Sequence, residues 1–147
     1  MKTSSGERAL FDTNVLVYAA NSSAPYHQSA RELRDRAVAG DFAACVTPQV
    51  LLEYVAVVTS AKRVAAPVGA DEAWAAAARI ASVFEVLDQG PDLVADLAAQ
   101  GQALGIKGPQ VFDLAIALTA LGAGVHTIYT YDSSVFSNVP GITAREP

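Results

Sequence analysis

The sequence predicts an α/β protein: a three-layer α/β/α sandwich with a central parallel sheet of four or five strands. Segments typical of strands alternate with segments typical of helices along the 147 residues. Strands separated by helices favour a parallel sheet that is covered on both faces. Neither a linker nor a repeat interrupts this alternation, so residues 1–147 are predicted to form a single domain. Residues 1–6 are expected to be a frayed N-terminus and residues 144–147 a tail.

Short apolar segments mark the predicted strands. The first strand, RALFD at residues 8–12, and the fourth, VHTIYTYD at residues 125–132, both end on an aspartate. The second and third strands are DFAACVT at residues 41–47 and VFEVLD at residues 83–88. GITAREP, at residues 141–147, is predicted to contain a short last strand before the chain ends.

Helix start and stop signals divide the rest of the chain. Pro25, Pro48 and Pro109 suit first helical turns, Thr47 is a predicted N-cap, and Gly40 is a predicted stop. The predicted helices cover residues 13–20, 22–40, 47–63, 71–82, 91–105 and 108–124.

Composition and charge limit the possible functions. Hydrophobic residues make up 52% of the chain, yet acids and glycines cut the apolar runs, so neither a membrane span nor a secretory signal is predicted. We therefore expect a cytoplasmic protein. The net charge of −5 argues against a general nucleic-acid coat protein and favours contact with nucleic acid at a local site. Cys45 is expected to be a buried thiol and Trp74 a hydrophobic anchor.

Four carboxylates stand in unusual settings. Asp12 and Asp132 end strands, and the carboxyl ends of parallel strands meet at one edge of the sheet, where α/β proteins bind ligands. Glu53 and Asp113 lie in helices that are otherwise almost wholly apolar, and a buried carboxylate without a partner is costly. Capping or turn chemistry is the plain alternative for the two strand-end acids, and the helix dipole is the alternative for Asp113.

The economical interpretation is that the four acids meet around a divalent cation, since clustered carboxylates repel each other without one. An all-oxygen site is the preference of Mg²⁺ or Mn²⁺, whereas zinc prefers His and Cys ligands. His27 and His126 are not spaced as a metal pair and are interpreted as surface or strand-edge residues.

The acids and their surroundings resemble those of the PIN-domain ribonucleases, and most of all the VapC-type toxins of bacterial toxin–antitoxin pairs. The resemblance runs from about Arg8 to Ile142, and the opening Asp-Thr-Asn is its sharpest piece. The matching motifs are LFDTNVLVYA with Asp12, TPQVLLEYVAV with Glu53, VFDLAIALTALGAG with Asp113, and IYTYDSSVF with Asp132.

This resemblance implies endonucleolytic cleavage of RNA that depends on Mg²⁺ or Mn²⁺. It implies that the metal site and the catalytic residues are Asp12, Glu53, Asp113 and Asp132. It implies supporting roles for Thr13, Asn14 and Thr130. It further implies a homodimer that is inhibited by a small antitoxin protein with a DNA-binding end.

The sequence departs from the family pattern after the last acid. Many relatives carry a further acid just before the phenylalanine, but here Ser133, Ser134 and Val135 precede Phe136. Leu114 also stands where a small residue is common. Fewer carboxylates are left for a second metal, so one ion is expected rather than two.

The expected mechanism uses a bound metal to activate a water, which attacks the scissile phosphorus in line. A 5′-phosphate product is what the family implies. Candidate contacts to the RNA backbone are Lys62, Arg63 and Lys107, although cations near a helix end also complement its dipole. Candidate residues for stacking on a base are Tyr18, Tyr129 and Tyr131, with core packing as the alternative.

Two other functions remain open from the sequence. A phosphatase of the haloacid-dehalogenase type uses a strand-end aspartate, but it needs a second acid two residues later, where this chain has Asn14. A catalytically silent PIN-fold binding module is the other alternative. Four mutually repelling carboxylates argue against it, because neutralising one of them would relieve the repulsion.

Overall fold

A central sheet of parallel strands organises the chain. The computed structural model describes residues 7–147, so the predicted frayed segment lies outside the described residues. Within this range the strands are β1 (Arg8–Phe11), β2 (Ala43–Val46), β3 (Glu85–Val86), β4 (Thr127–Tyr129) and β5 (Thr143–Arg145). They form one sheet in the order β3-β2-β1-β4-β5, and every pairing is parallel. The predicted parallel sheet is therefore confirmed, with five strands among the described residues.

The centre of the sheet is apolar because helices flank both faces. Leu10 of β1 pairs with Cys45 of β2 on one side and with Ile128 of β4 on the other. All three side chains are fully buried, so the prediction of a buried thiol is confirmed. β1 is the middle strand, and whatever follows it lies at the centre of the carboxyl edge.

Six helices flank the sheet in the predicted α/β/α arrangement of the described residues. They are α1 (Thr13–Ala20), α2 (His27–Val38), α3 (Pro48–Val58), α4 (Ala70–Val83), α5 (Leu93–Leu104) and α6 (Gln110–Gly122), and a 3₁₀ turn spans Phe136–Asn138. α1 contacts α2 and α3, α3 contacts α4, and α5 contacts α6. Over residues 7–147, no helix has the length and apolar character needed to traverse a bilayer.

The helix ends follow local chemistry with small shifts from the predicted bounds. The Thr47 hydroxyl accepts a hydrogen bond from the Val50 N–H at 3.1 Å, which caps α3 as predicted. α5 ends at Leu104 and is followed by the C-cap Gly105, whose φ of +66° is the left-handed conformation that glycine adopts most easily. α2 begins at His27 and α6 at Gln110, so Pro25 and Pro109 precede these helices instead of opening them.

Three predicted features need correction. Trp74 is 53% exposed, because Ala73 and Ala77 face the core and Trp74 lies one residue, about 100° around the helix, from that face. β3 covers only Glu85–Val86 of the predicted residues 83–88, and the first of these residues, Val83, belongs to α4. β5 includes Ala144 and Arg145, two residues that the sequence predicts to lie in the tail.

The two histidines have different surroundings. His126 is exposed, whereas His27 is half-buried, with its Nδ1 atom 2.8 Å from the Tyr18 carbonyl oxygen.

Candidate active site

Asp12 lies at the junction of β1 and α1, where it is the N-cap of the helix. Its side chain is only 7% exposed. The carboxylate accepts hydrogen bonds from the Thr13 N–H at 2.7 Å, the Thr130 hydroxyl at 2.8 Å and the Asn14 side-chain amide at 3.4 Å. These bonds hold the carboxylate at the carboxyl edge of the central strand.

Asn14 and Thr130 link this junction to the end of β4. The Asn14 amide donates to the Thr130 hydroxyl at 3.3 Å, and its oxygen accepts from the Tyr131 N–H at 3.3 Å. The Thr130 hydroxyl also accepts from the Asp132 N–H at 3.0 Å. Asn14 therefore cross-links β1–α1 to the segment that carries Asp132, a role that an acid at this position would not fill.

Glu53 is half-buried, and two neutral donors explain why an apolar helix carries it. Its carboxylate accepts from the Thr13 hydroxyl at 2.9 Å and from the Gln49 side-chain amide at 3.1 Å. Sequence reasoning missed Gln49 and its partner Gln89. One signal was available, since a residue four positions before Glu53 lies on the same face of a helix.

Asp113 lies in the first turn of α6 and is partly buried. Within residues 7–147, no group donates a hydrogen bond to its carboxylate. Burial raises the pKa of the Asp113 carboxyl to about 7, and the charges of Asp12, Asp132 and Glu53 add to the shift. No hydrogen-bond donor within residues 7–147 therefore compensates the negative charge of the ionised Asp113 carboxylate.

Asp12 is shifted in the same direction but is better compensated. Burial raises the pKa of the Asp12 carboxyl to about 6, and the charges of Glu53 and Asp132 contribute in the same direction. The hydrogen bonds from Thr130 and Thr13 oppose this rise by stabilising the ionised form.

Asp132 is exposed and lies three residues beyond the end of β4. Ser134 donates to its carboxylate through its hydroxyl at 2.7 Å and its N–H at 3.2 Å. Ser134 thus forms a turn that orients the Asp132 carboxylate, and both of the donors that it supplies are neutral.

One cleft of about 710 Å³ brings the four acids together. Its walls include Thr13, Asn14, Tyr18 and Arg63, together with all four acids: Asp12, Glu53, Asp113 and Asp132. Among the three predicted RNA contacts, Arg63 lines the cleft, whereas Lys62 and Lys107 are exposed outside its lining.

The three candidate tyrosines have different positions. Tyr18 lines the cleft, while Tyr129 packs against Phe11, with ring centroids 5.9 Å apart, and so belongs to the core. Tyr131 stacks on Tyr26 at 4.4 Å, beside Tyr18 at 5.3 Å. Tyr26, which the sequence did not single out, is the exposed member of this cluster.

The donor set suits a hard divalent cation, although it is not a closed cage. Within residues 7–147, no group of three or more His, Cys, Asp or Glu side chains is arranged closely enough to hold a metal. The four acids share one cleft, as expected, and they line an open cleft instead of a closed cage. Mg²⁺ commonly binds through one or two carboxylates, with waters and substrate phosphates completing its shell. The uncompensated Asp113 carboxylate fits such an open site.

Comparison with known proteins identifies the family. The PIN domain model matches residues 9–142, which is most of the chain. The chain therefore belongs to the PIN domain family, and the phosphatase alternative falls away. No curated protein matches the chain by sequence.

Solved structures of toxin–antitoxin proteins share the fold. VapC20 of Mycobacterium tuberculosis, described as a sarcin-ricin loop cleaving toxin, is 18% identical with a TM-score of 0.72, covering 95% of this chain and 99% of that chain. VapBC2 of Rickettsia felis, bound to a DNA fragment from its promoter, is 21% identical with a TM-score of 0.65, covering 95% and 98%. DNA-bound VapBC of Salmonella typhimurium is 21% identical with a TM-score of 0.64, covering 96% and 98%. These likenesses show that the chain shares the fold of PIN proteins from VapBC pairs.

Proposed function

We propose that this protein is a metal-dependent endoribonuclease and the toxin component of a toxin–antitoxin pair. The observation that carries the proposal is the shared cleft: four acids from separate parts of the chain, Asp12, Glu53, Asp113 and Asp132, line one cavity at the carboxyl edge of the sheet. Ligands of open parallel sheets bind at this edge. Membership of the PIN domain family supports the same chemistry.

The partners follow from the relatives. Because VapC20 is described as cleaving the sarcin-ricin loop, we propose RNA as the substrate class. Because other neighbours are VapBC complexes, we propose a cognate antitoxin protein as the binding partner. We further propose that the protein works as a homodimer in the cytoplasm.

The proposed cofactor is one Mg²⁺ or Mn²⁺ ion, which Asp12, Asp113, Asp132 and Glu53 would hold. When bound, such an ion lowers the pKa of a water and stabilises charge on phosphate oxygens. The one-ion proposal is supported by Ser133 and Ser134, which stand where a further acid would help to hold a second ion.

The chain's own residues would orient the acids and the RNA. Thr130 and Asn14 hold Asp12 in place, and Thr13 holds Glu53. Because no group in residues 7–147 donates to the Asp113 carboxylate, its oxygens are available to a ligand in the cleft. Arg63 on the cleft wall would contact the RNA backbone, and its charge offsets part of the repulsion between acids and phosphates.

Asp113→Asn tests the proposal. We expect it to lower the rate of RNA cleavage in Mn²⁺ by about a thousandfold, because one charged oxygen ligand is replaced by a neutral amide. Asp96→Asn is the matched control: Asp96 occupies the first turn of α5, as Asp113 occupies that of α6, but it lies outside the cleft. Cleavage that persists in Asp113→Asn at the wild-type rate would exclude the proposed mechanism.

A catalytically silent binding module is the second candidate. The observation that favours it is the lack of a closed three-ligand cage among residues 7–147. This alternative predicts that Asp113→Asn and the wild type bind antitoxin equally, and that neither cleaves RNA in Mg²⁺ or Mn²⁺.

A further inference from the structure

The Gln49 side chain links one cleft acid, Glu53, to the residue that precedes another, Asp113. Its amide nitrogen donates to the Glu53 carboxylate at 3.1 Å and to the Phe112 carbonyl at 3.0 Å. Phe112 immediately precedes Asp113 in the first turn of α6. The two amide hydrogens of Gln49 thus join α3, which carries Glu53, to the start of the helix that carries Asp113.

Gln89 fixes the orientation of that amide. Its side-chain oxygen accepts from the Gln49 N–H at 3.2 Å, and its nitrogen donates to the Gln49 side-chain oxygen at 3.4 Å. Gln89 also donates to the Thr119 hydroxyl at 3.2 Å, which anchors it to the C-terminal half of α6. Because the Gln49 oxygen is used by Gln89, its nitrogen must face Glu53 and the Phe112 carbonyl.

The chemistry of an amide suits this position. A lysine or arginine here would neutralise Glu53 and compete with a divalent cation for its oxygens. A carboxylate would repel Glu53 and could not donate to the Phe112 carbonyl. An amide satisfies one oxygen of Glu53 and leaves its negative charge for the cleft.

We propose that Gln49 is a positioning residue that sets the placement of Glu53 relative to Asp113, and that Gln89 acts through Gln49. The proposal rests on the function proposed above, because its purpose is to hold the two acids where a divalent cation and an RNA phosphate meet them. Neither glutamine is itself part of the cleft lining, so both act by orienting residues that are.

The test is the dissociation constant for Mn²⁺, measured by calorimetry on the intact chain without RNA. Gln49→Leu should weaken Mn²⁺ binding by about tenfold, as loss of hydrogen bonds that orient metal ligands generally does. Gln49→Glu, which keeps the shape and loses the donors, should weaken it as well. Gln89→Leu should act in the same direction with a smaller effect.

Gln28→Leu is the matched control. Gln28 donates to Glu32 at 3.0 Å across one turn of α2, which repeats the Gln49–Glu53 spacing on an exposed face outside the cleft. Its dissociation constant for Mn²⁺ should equal that of the wild type. A double variant, Gln49→Leu with Gln89→Leu, should bind Mn²⁺ no more weakly than Gln49→Leu alone, because Gln89 acts through Gln49.

The outcomes separate this proposal from the proposed function. If the wild type does not bind Mn²⁺ at all, the metal-dependent function is wrong. If the wild type binds Mn²⁺ and Gln49→Leu binds it equally well, the positioning role is overturned while the function stands. Additive losses in the double variant would overturn the route through Gln49. Should Gln49→Leu fail to fold, Gln89→Leu decides, and unchanged Mn²⁺ binding there overturns the proposal.

Discussion

Asp12 and Asp113 are carboxylates of the same cleft with opposite surroundings. Asp12, at the junction of β1 and α1, is 7% exposed and accepts hydrogen bonds from Thr13, Thr130 and Asn14. Asp113, in the first turn of α6, is less buried, and no residue in the range 7–147 donates to it. Yet burial raises the pKa of Asp113 to about 7 and that of Asp12 only to about 6.

Burial alone therefore does not set the electrostatic cost of an acid in this cleft. Hydrogen bonds to the ionised form compensate much of the desolvation of Asp12, so its region contributes to the fold. The region of Asp113 leaves the cost uncompensated, and a cation that binds the folded state would relieve it. Hydrogen bonds thus hold the Asp12 carboxylate in place, whereas the Asp113 carboxylate stays available to a cation.

The largest expected effect comes from removing the support of Asp12. Thr130→Val should lower the free energy of unfolding by about 3 kcal/mol, because a side chain only 2% exposed loses its donor to Asp12 and its acceptor for the Asp132 N–H. Urea unfolding measures the change. Thr127→Val is the control three residues earlier, on β4 itself, since the Thr127 hydroxyl has no hydrogen-bond partner within residues 7–147. Equal losses in the two variants would contradict the prediction.

Metal binding should reveal the region of Asp113. At a hundredfold excess over its dissociation constant, Mn²⁺ should raise the free energy of unfolding of the wild type by about 2.7 kcal/mol. Asp113→Asn should lose most of this gain, whereas Asp96→Asn, outside the cleft, should keep it. Melting with and without Mn²⁺ provides the measurement, and a gain that survives in Asp113→Asn would show that the ion binds elsewhere.

Neutralising each acid without metal should give opposite signs. At pH 8, Asp113→Asn should raise the free energy of unfolding by about 1 kcal/mol, because it removes an uncompensated charge. Asp12→Asn should lower the free energy of unfolding by about 1–2 kcal/mol, because the new NH₂ group faces donors from which the carboxylate accepted hydrogen bonds. Two shifts of the same sign in the melting temperature would show that the two regions do not differ as described.

The smallest expected effect is the dependence of stability on pH. The pKa values of Asp12 and Asp113 in the folded protein, about 6 and about 7, exceed the unfolded value of 3.8. The folded state therefore holds protons that the unfolded chain has released, and stability falls as the pH rises from about 4 through 7. Because Asp113 is partly exposed, we expect a loss on the order of 1 kcal/mol between pH 5 and 8 without metal. Asp113→Asn should flatten the curve, and an unchanged slope would refute the assignment.

Local signals predicted much of the fold and of the site. The Thr47 cap, the αL end at Gly105 and the acids after two parallel strands depend on neighbouring residues or on the rule that parallel strands share an edge. Trp74 was misplaced because an alanine-rich helix offers a weak contrast between its faces. Packing against α3 decided which face is buried.

The hydrogen-bond partners were beyond such signals. Gln89 meets Gln49 across 40 residues of sequence, and Thr130 meets Asp12 across 118. No local periodicity encodes these pairings, because they depend on how the loop after β3 and the end of β4 approach α3 and β1.

By itself, the sequence determined the alternation of strands and helices, the parallel sheet, and the four acids at or near its carboxyl edge. The tertiary structure was needed to show that hydrogen bonds partly compensate the charge of Asp12, that no group in residues 7–147 donates to Asp113, and that Gln49 lies between Glu53 and α6. The physical reason is one of range. Secondary structure and strand direction follow from apolar periodicity over a few residues, whereas a hydrogen bond requires donor and acceptor within about 3 Å. For groups distant in sequence, the packing of whole elements sets that separation.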